Sequence, residues 1–438
     1  MGALFLFIEI TVVRKDRSDK SDTCVTFVIE LYLGRTYFLF VLLNLIQGSV
    51  MKRKLFCAIF LSSFFQIYGE EKVESKQAQE EKPAKTTEQI IVYGSPYNER
   101  YADVPASIYR LDKEDTRERQ MSVSFPDSLG ELPGVLIQKT GPGRSNPIIR
   151  GFGISQNVLM ADGVRVNNPV LRSGPNEYWN TLDPYLYSNL ELILGPGSLL
   201  YGSDAMGGVI IAGGDVLPRG QEGEELKFNN GELIGRVGSA QNSHSEHLNM
   251  VFTQSDDLAL SVGITYQDFG DLNMANNTNL DESGYYEKGA NLRLEYDIDS
   301  KFSLFTGYDY YTVQNTNRVH KTPNGESYRG TVVPNKDSDN ERLTDFTRQA
   351  YFNRLEYRSN KGLINEMDFT LSWQRMDEDY ERLRSNGNRH SSNSFKDNTY
   401  GTKLRLQTDL DWTSLQYGFI TTMTMCAVMG KITTPMAM

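Results

Sequence analysis

Cysteine is scarce in this chain, and acidic residues outnumber basic ones. The 438 residues include 3 cysteines, and none lies between Cys57 and Cys426. This pattern excludes a disulfide framework and matches no zinc site. Lysine and arginine total 45 against 56 aspartates and glutamates. Because nucleic-acid binding needs a basic surface, we predict no nucleic-acid partner.

Motifs of soluble catalysis are also missing. The run Gly195-Pro196-Gly197 lacks the Lys-Ser/Thr ending of a phosphate loop, and its proline opposes the helix start that would cradle phosphate. The adjacent Asp256 and Asp257 are typical of a turn rather than an acid/base couple. We therefore predict no catalytic residue, no enzyme activity, no cofactor and no metal site. We place His244 and His247 in an extracellular loop and at a strand start, either solvated or touching haem iron.

The N-terminal part contains an internal export signal. The apolar run from Tyr37 to Ile46 is too short to span a bilayer. Residues 51–69 then combine a basic start, an apolar stretch and a small residue, which predicts a secretory signal peptide. We interpret residues 1–50 as upstream read-through before a true start at Met51; a two-part membrane anchor is the alternative.

A polar tether and a short β-prone run follow. Residues 70–87 contain no aromatic residue and are expected to be disordered. The next segment is Glu88-Gln89-Ile90-Ile91-Val92-Tyr93-Gly94. Such a run can add itself as a strand to a partner's sheet, or it can be the first strand of the domain behind it.

Glycine-dense turns and short β-prone runs alternate between Leu132 and Gly214. Four pieces occur in order, namely Leu132-Pro133-Gly134-Val135, Ile149-Arg150-Gly151, Asp162-Gly163-Val164-Arg165, and Gly195-Pro196 with Tyr201-Gly202-Ser203-Asp204-Ala205 and Gly207-Gly208-Val209-Ile210. In order and spacing they resemble the plug domain of TonB-dependent outer-membrane receptors. The resemblance implies an α+β plug domain over residues 95–219 and a TonB box at residues 88–94.

The composition changes after Gly220 to strict alternation. In one segment Leu258, Leu260, Val262, Ile264 and Tyr266 alternate with Ala259, Ser261, Gly263, Thr265 and Gln267. Short turns near residues 255–257, 299–301, 359–362 and 411–413 take turns with long polar loops at 270–287, 314–347 and 377–396. Short connections on one side and long ones on the other predict an antiparallel transmembrane β-barrel over residues 220–419. A secreted or surface β-rich adhesin is the alternative from another class.

The barrel pattern is incomplete. We find eight strands and the start of a ninth in this sequence, whereas plugged transporters of this type have about 22. Alternation stops after Phe419, so we interpret residues 420–438 as a frameshifted tail that supplies no closing strand. An open sheet leaves backbone groups unsatisfied in lipid, and we therefore expect this chain to be a non-transporting fragment.

The resemblance also implies a function. It indicates active uptake of an iron chelate, either a ferric siderophore or haem, with TonB, outer-membrane lipid and the chelate as partners; cobalamin or another bulky nutrient is the alternative cargo. We expect Arg172, Asn176, Tyr178 and Trp179 to face the exterior at the plug apex and bind the ligand, or else to pack against the barrel wall. The family commonly has basic residues where this chain has Asn189 and Leu194, which predicts weaker seating of the plug.

Overall fold

The computed structural model describes two parts of the chain, a small mixed domain and a large antiparallel sheet. The described residues are 5–9, 24–32, 107–167, 177–274, 278–319, 341–359, 362–384, 390–410 and 413–433.

The predicted plug domain is built around a five-stranded sheet. Its strands are β3 (Ser107–Leu111), β6 (Val158–Ala161), β7 (Val164–Arg165), β8 (Asn189–Leu194) and β9 (Gly208–Gly213), in the spatial order β3-β8-β9-β6-β7. The β6–β9 pair is parallel and the other pairs are antiparallel. A separate hairpin joins β4 (Val135–Gly141) to β5 (Arg144–Ile149).

Helices in this domain are short. They are a π-helical turn at Glu114–Arg119, 3-10 turns at Pro126–Leu129, Ile154–Gln156 and Tyr178–Thr181, and one α-helical turn, α1, at Ser198–Tyr201. Within the described residues, no helix has the length and apolar character needed to cross a membrane.

The recognised glycine motifs serve close packing. The Asp162-Gly163 pair turns the β6–β7 hairpin with φ of 48° and 83°, which glycine adopts at no steric cost. A Cβ on Gly207 would lie 2.4 Å from Asn157 Oδ1 and 2.7 Å from the Ile149 carbonyl oxygen. The motif therefore holds the turn after α1 against the rest of the domain, above a core that includes Leu129, Ile149, Trp179 and Ile210.

The large sheet contains nine long strands, each antiparallel to the next. They are β10 (Lys227–Gly238), β11 (Ser243–Gln254), β12 (Leu258–Phe269), β15 (Tyr285–Asp297), β16 (Phe302–Asn317), β17 (Glu341–Arg358), β18 (Glu366–Leu383), β19 (His390–Leu410) and β20 (Thr413–Thr433). A small hairpin, β13 (Leu272–Met274) with β14 (Thr278–Leu280), lies between β12 and β15. Two further strands, β1 (Phe5–Glu9) and β2 (Cys24–Tyr32), pair with each other, and β2 pairs with β10.

Alternation along these strands separates two environments. In β12 the apolar Ile264 is 54% exposed on the outer face, whereas Gln267 is fully buried on the inner face. The inner side chains pack against the plug domain. A face of apolar side chains that looks away from the protein is what a strand in lipid requires, and the predicted α+β plug followed by an incomplete antiparallel barrel is confirmed.

The strands are longer than the hydrophobic pattern predicts. The connection expected at 377–396 shrinks to 384–389, and those at 270–287 and 314–347 shrink to 270–284 and 318–340. Strands of 18 to 21 residues exceed the roughly 9–11 that cross a bilayer. In β17, β18 and β19 the extra length is polar, so periodic hydrophobicity marks only the part of these strands at the level of lipid.

The last strand departs furthest from the sequence prediction. We expected the strand to end at Phe419, but β20 pairs continuously with β19 from Leu410↔Thr413 to His390↔Thr433. Backbone pairing does not require alternating side chains, and the threonines, isoleucine and valine of this segment suit an extended chain. The predicted end of the ninth strand at Phe419 is therefore wrong; the proposed frameshift stays a prediction, as does read-through of residues 1–50.

Candidate functional site at the plug–barrel interface

A buried charge cluster joins the plug to the barrel at the end where the connections 270–284 and 318–340 lie. The Glu177 carboxylate accepts hydrogen bonds from the Thr140 hydroxyl at 2.7 Å, from Arg144 Nη2 at 3.1 Å and from Arg318 Nη2 at 3.0 Å. Thr140 and Arg144 lie in the β4–β5 hairpin, and Arg318 directly follows β16. Arg144 Nη1 also donates to the Thr316 carbonyl oxygen at 3.2 Å.

The cluster is ionised. Burial opposes ionisation of Glu177, but the two arginines prevail and hold the pKa of its carboxyl below the usual value. Burial lowers the pKa of Arg144 to about 10, partly opposed by the Glu177 charge. Both groups are therefore charged at neutral pH. Removing one partner from such a buried pair typically costs about 3–5 kcal/mol, because the other charge is left without compensation.

The two aromatic residues after Glu177 point in opposite directions. Tyr178 faces the barrel, where its hydroxyl donates to Glu378 Oε2 at 3.0 Å and its ring packs edge-on against Phe346 and Phe395. Trp179 lies in the plug core. This short turn is therefore a joint between the two parts.

The predicted ligand residues are placed differently from one another. Tyr178 and Trp179 are 2% and 1% exposed, so neither faces the exterior in this structure. Arg172 and Asn176 lie outside the described residues, as does the predicted TonB box at residues 88–94. Their roles stay predictions. The sequence analysis missed Glu177; a single carboxylate next to two aromatic residues was the signal available.

Asp183, Tyr185 and Tyr187, which follow the joint in the chain, contact the barrel wall. The Thr265 hydroxyl donates to Asp183 Oδ2 at 2.5 Å, and the Tyr187 hydroxyl donates to Asp309 Oδ2 at 3.2 Å. Between them, Tyr185 stacks on His247 with ring centroids 5.2 Å apart. We call residues 183–187 the wall strap. Residues 184–186 form a turn, closed by a hydrogen bond from the Leu186 backbone N–H to the Asp183 carbonyl oxygen at 3.2 Å.

His247 is not the loop residue that the sequence predicts. It lies within β11, is 3% exposed, and its Nδ1 is 2.8 Å from the Thr265 hydroxyl oxygen. The loop prediction is wrong because β11 begins at Ser243, so both His244 and His247 fall within the strand. Neither histidine belongs to a group of three or more potential metal ligands in the part of the chain that the structure describes.

Within the wall strap, the buried position of Asp183 disfavours the ionised form of its carboxyl. Asp183 is buried, and burial raises the pKa of its carboxyl to about 6, although the Thr265 hydroxyl and the Tyr185 backbone N–H donate to it. Ionisation of this side chain therefore opposes seating of the plug near neutral pH.

A second charged group ties the N-terminal segment of the plug to the first barrel strand. Arg117 Nη1 lies 2.9 Å from Glu232 Oε2, and Arg117 Nη2 donates to the Tyr185 carbonyl oxygen. Arg236 in β10 donates back to the Arg117 carbonyl oxygen at 2.7 Å and to that of Ser122 at 3.0 Å.

The opposite end of the interface also carries ion pairs. Arg293 lies 2.7 Å from Asp162 in the plug and 2.6 Å from Asp309 in the barrel. At the two positions that lack a basic residue, Leu194 packs in the plug core and Asn189 accepts a hydrogen bond from Arg110 at 3.0 Å. Other charged pairs join the plug to the barrel, and weaker seating of the plug stays a prediction.

Comparison with known proteins identifies the small mixed domain. The model of the TonB-dependent Receptor Plug Domain matches residues 100–209. These residues are a plug domain of the TonB-dependent receptor type. The chain is 34% identical over 127 residues to "Vitamin B12 transporter BtuB" of Vibrio vulnificus (strain CMCP6), covering 28% of this chain and 20% of that protein. It is 32% identical over 206 residues to "Hemin receptor" of Yersinia pestis, covering 44% and 27%.

Structural similarity extends beyond the plug domain. "Copper transporter OprC" has a TM-score of 0.57 at 15% identity, over 74% of this chain and 47% of that one. This likeness shows that the barrel strands share the fold of that protein. An outer-membrane location follows from the family and the barrel sheet. The chain spans about a fifth to a quarter of the length of the two curated relatives.

Proposed function

We propose that this TonB-dependent receptor takes up an iron chelate, either haem or a ferric siderophore, through movement of its plug. The similarity to a hemin receptor covers more of the chain than the similarity to the vitamin B12 transporter and supports this cargo. Cobalamin is the second candidate, favoured by the latter match. TonB, through residues 88–94, is the proposed energy-coupling partner.

The polar character of the plug–barrel interface carries this proposal. Its contacts include many hydrogen bonds and ion pairs, such as Glu177 with Arg318, Asp183 with Thr265 and Arg117 with Glu232. Water can replace contacts of this kind when the plug moves, since a hydrated group retains hydrogen-bond partners. An apolar interface would instead expose hydrophobic surface. The interface suits a plug that leaves its seat and returns.

Energy coupling is tested by proline substitution. In a receptor whose barrel is completed by further strands, Ile91→Pro removes a backbone donor from the proposed strand and should abolish TonB-dependent uptake of the chelate, while binding of the chelate to outer membranes is retained. Thr87→Pro, in the tether just before the segment, is the matched control and should transport normally. Normal uptake by the Ile91→Pro protein would contradict the assignment.

The open sheet adds a second part to the proposal. At β20 the backbone donors and acceptors of one edge have no strand beside them among the described residues, and unsatisfied groups in lipid cost several kcal/mol each. We therefore propose that the 438-residue chain alone does not support uptake. Heat-modifiable, protease-resistant protein in the outer membrane that supports growth on an iron chelate would contradict this.

A further inference from the structure

The Thr140, Arg144 and Arg318 side chains form a carboxylate-binding site, and the carboxylate bound there is that of Glu177. One hydroxyl and two guanidinium groups converge on Glu177 at 2.7 to 3.1 Å. Guanidinium groups recognise carboxylates through charge-assisted hydrogen bonds. The donors are fixed by the β4–β5 hairpin and the end of β16, so they are organised before any ligand arrives.

Exchange of one carboxylate for another at this site conserves charge. A neutral ligand that displaced Glu177 would leave the fully buried Arg144 and the part-buried Arg318 without the charge of this carboxylate, which is costly. A ligand carboxylate would restore both the charge and the hydrogen bonds. Glu177 is the N-cap residue of the Tyr178–Thr181 turn, so its displacement would act on the start of that turn.

Displacement of Glu177 would disturb contacts of the Tyr178–Thr181 turn with both the plug and the barrel. Asn180 Nδ2 donates to the Glu177 carbonyl oxygen at 2.8 Å and to the Ser145 carbonyl oxygen at 2.7 Å, which joins the turn to β5. Tyr178 joins the same turn to the barrel. A ligand that takes the place of this carboxylate would therefore act directly on the joint.

We propose that Glu177 is an internal stand-in for a carboxylate of the substrate, and that Arg318 with Arg144 selects metal chelates bearing free carboxylates. This inference rests on the proposed uptake function and specifies its substrate class. The propionates of haem are carboxylates of this kind. A chelate without a free carboxylate lacks the group that competes with Glu177.

The experiment compares hemin with hemin dimethyl ester, in which both propionates are blocked. Binding to the full chain in detergent is measured by titration, for the unmodified protein and for Glu177→Gln and Arg318→Met. We expect Glu177→Gln to raise hemin affinity about tenfold by removing the competitor, and Arg318→Met to lower it about tenfold, while ester affinity stays within about twofold. Glu232→Gln, which neutralises a carboxylate of a different plug–barrel ion pair, is the matched control and should change neither affinity.

The outcomes separate this inference from the proposed function. Equal affinity of the unmodified protein for hemin and its ester overturns the inference while leaving iron-chelate uptake standing, and it needs no variant to fold. Equal changes for both ligands in Glu177→Gln also overturn it. Absence of binding by hemin, the ester and a ferric siderophore overturns the proposed function and the inference together.

Discussion

Asp183 offers a pH-dependent test of how the plug is seated. Burial raises the pKa of its carboxyl from 3.8 to about 6. In the unfolded plug the side chain ionises near pH 4, whereas in the folded plug it keeps its proton to about pH 6. Stability of the plug is therefore lost as pH rises from about 4 to 6. The full penalty is present above pH 6, and none is present below pH 4.

The size of the penalty follows from the shift. A rise from 3.8 to about 6, at about 1.4 kcal/mol per pH unit, corresponds to about 3 kcal/mol above pH 6. Asp183→Asn removes this penalty. The amide oxygen of Asn can accept from the Tyr185 backbone N–H, and its NH2 group can donate to the Thr265 hydroxyl oxygen; both bonds are weaker than those of the carboxyl, so we subtract about 1 kcal/mol. We expect Asp183→Asn to stabilise the plug by about 2 kcal/mol at pH 7.5 and to be neutral or slightly destabilising at pH 4.

Urea unfolding followed by Trp179 fluorescence measures this difference. Trp373 and Trp412 are first replaced by phenylalanine, so that the signal comes from the plug core alone. The free energy of unfolding is extrapolated to water at each pH. Other groups titrate in both proteins, so the quantity of interest is the difference between Asp183→Asn and its parent. A difference that does not change between pH 4 and 7.5, or a destabilised variant at pH 7.5, would show that Asp183 is hydrated in the folded plug.

Four further substitutions test the packing and the ligand contact of the plug. Trp179→Ala removes a core side chain and should destabilise the plug by about 3–5 kcal/mol in the same urea assay. A loss of ligand binding in this variant can therefore come from unfolding alone. Arg172→Ala should bind the ligand more weakly with an unchanged free energy of unfolding if Arg172 contacts the ligand. Gly207→Ala places a methyl group against Asn157 and should cost about 1–3 kcal/mol by overpacking; an unchanged midpoint would contradict the close approach. Arg117→Met breaks the ion pair with Glu232 and should speed protease cleavage within the Glu114–Arg119 turn, with cleavage elsewhere unchanged.

The motifs predicted the plug because each glycine turn has a local cause. The Asp162-Gly163 hairpin and the close-packed Gly207 depend on backbone geometry that only a few residue types tolerate. The barrel strands could be predicted for a similar reason, since successive side chains of a strand point to opposite faces and the sequence shows that alternation. Strand ends did not follow, because pairing between β19 and β20 continues where the alternation stops.

The charge cluster was beyond sequence reasoning for a different reason. Thr140, Glu177 and Arg318 are far apart in the chain, and nothing local marks them as neighbours. His247 was misplaced on similar grounds: a histidine among polar residues reads as a loop, although those residues are the inward face of β11. From sequence alone, polar residues that face the inside of a barrel cannot be distinguished from solvent-exposed ones, because the domain that covers them is not known.

The wall strap bears on whether receptor parts can be exchanged. Asp183, Tyr185 and Tyr187 each meet a different barrel strand, at Thr265 in β12, His247 in β11 and Asp309 in β16. A plug grafted into a foreign barrel would bring its carboxylate and two tyrosines against three unrelated side chains at once. Chimeras of this receptor therefore need those three barrel positions carried over with the plug, and natural recombination between relatives should favour breakpoints that keep residues 183–187 and β11 to β16 on one inherited segment.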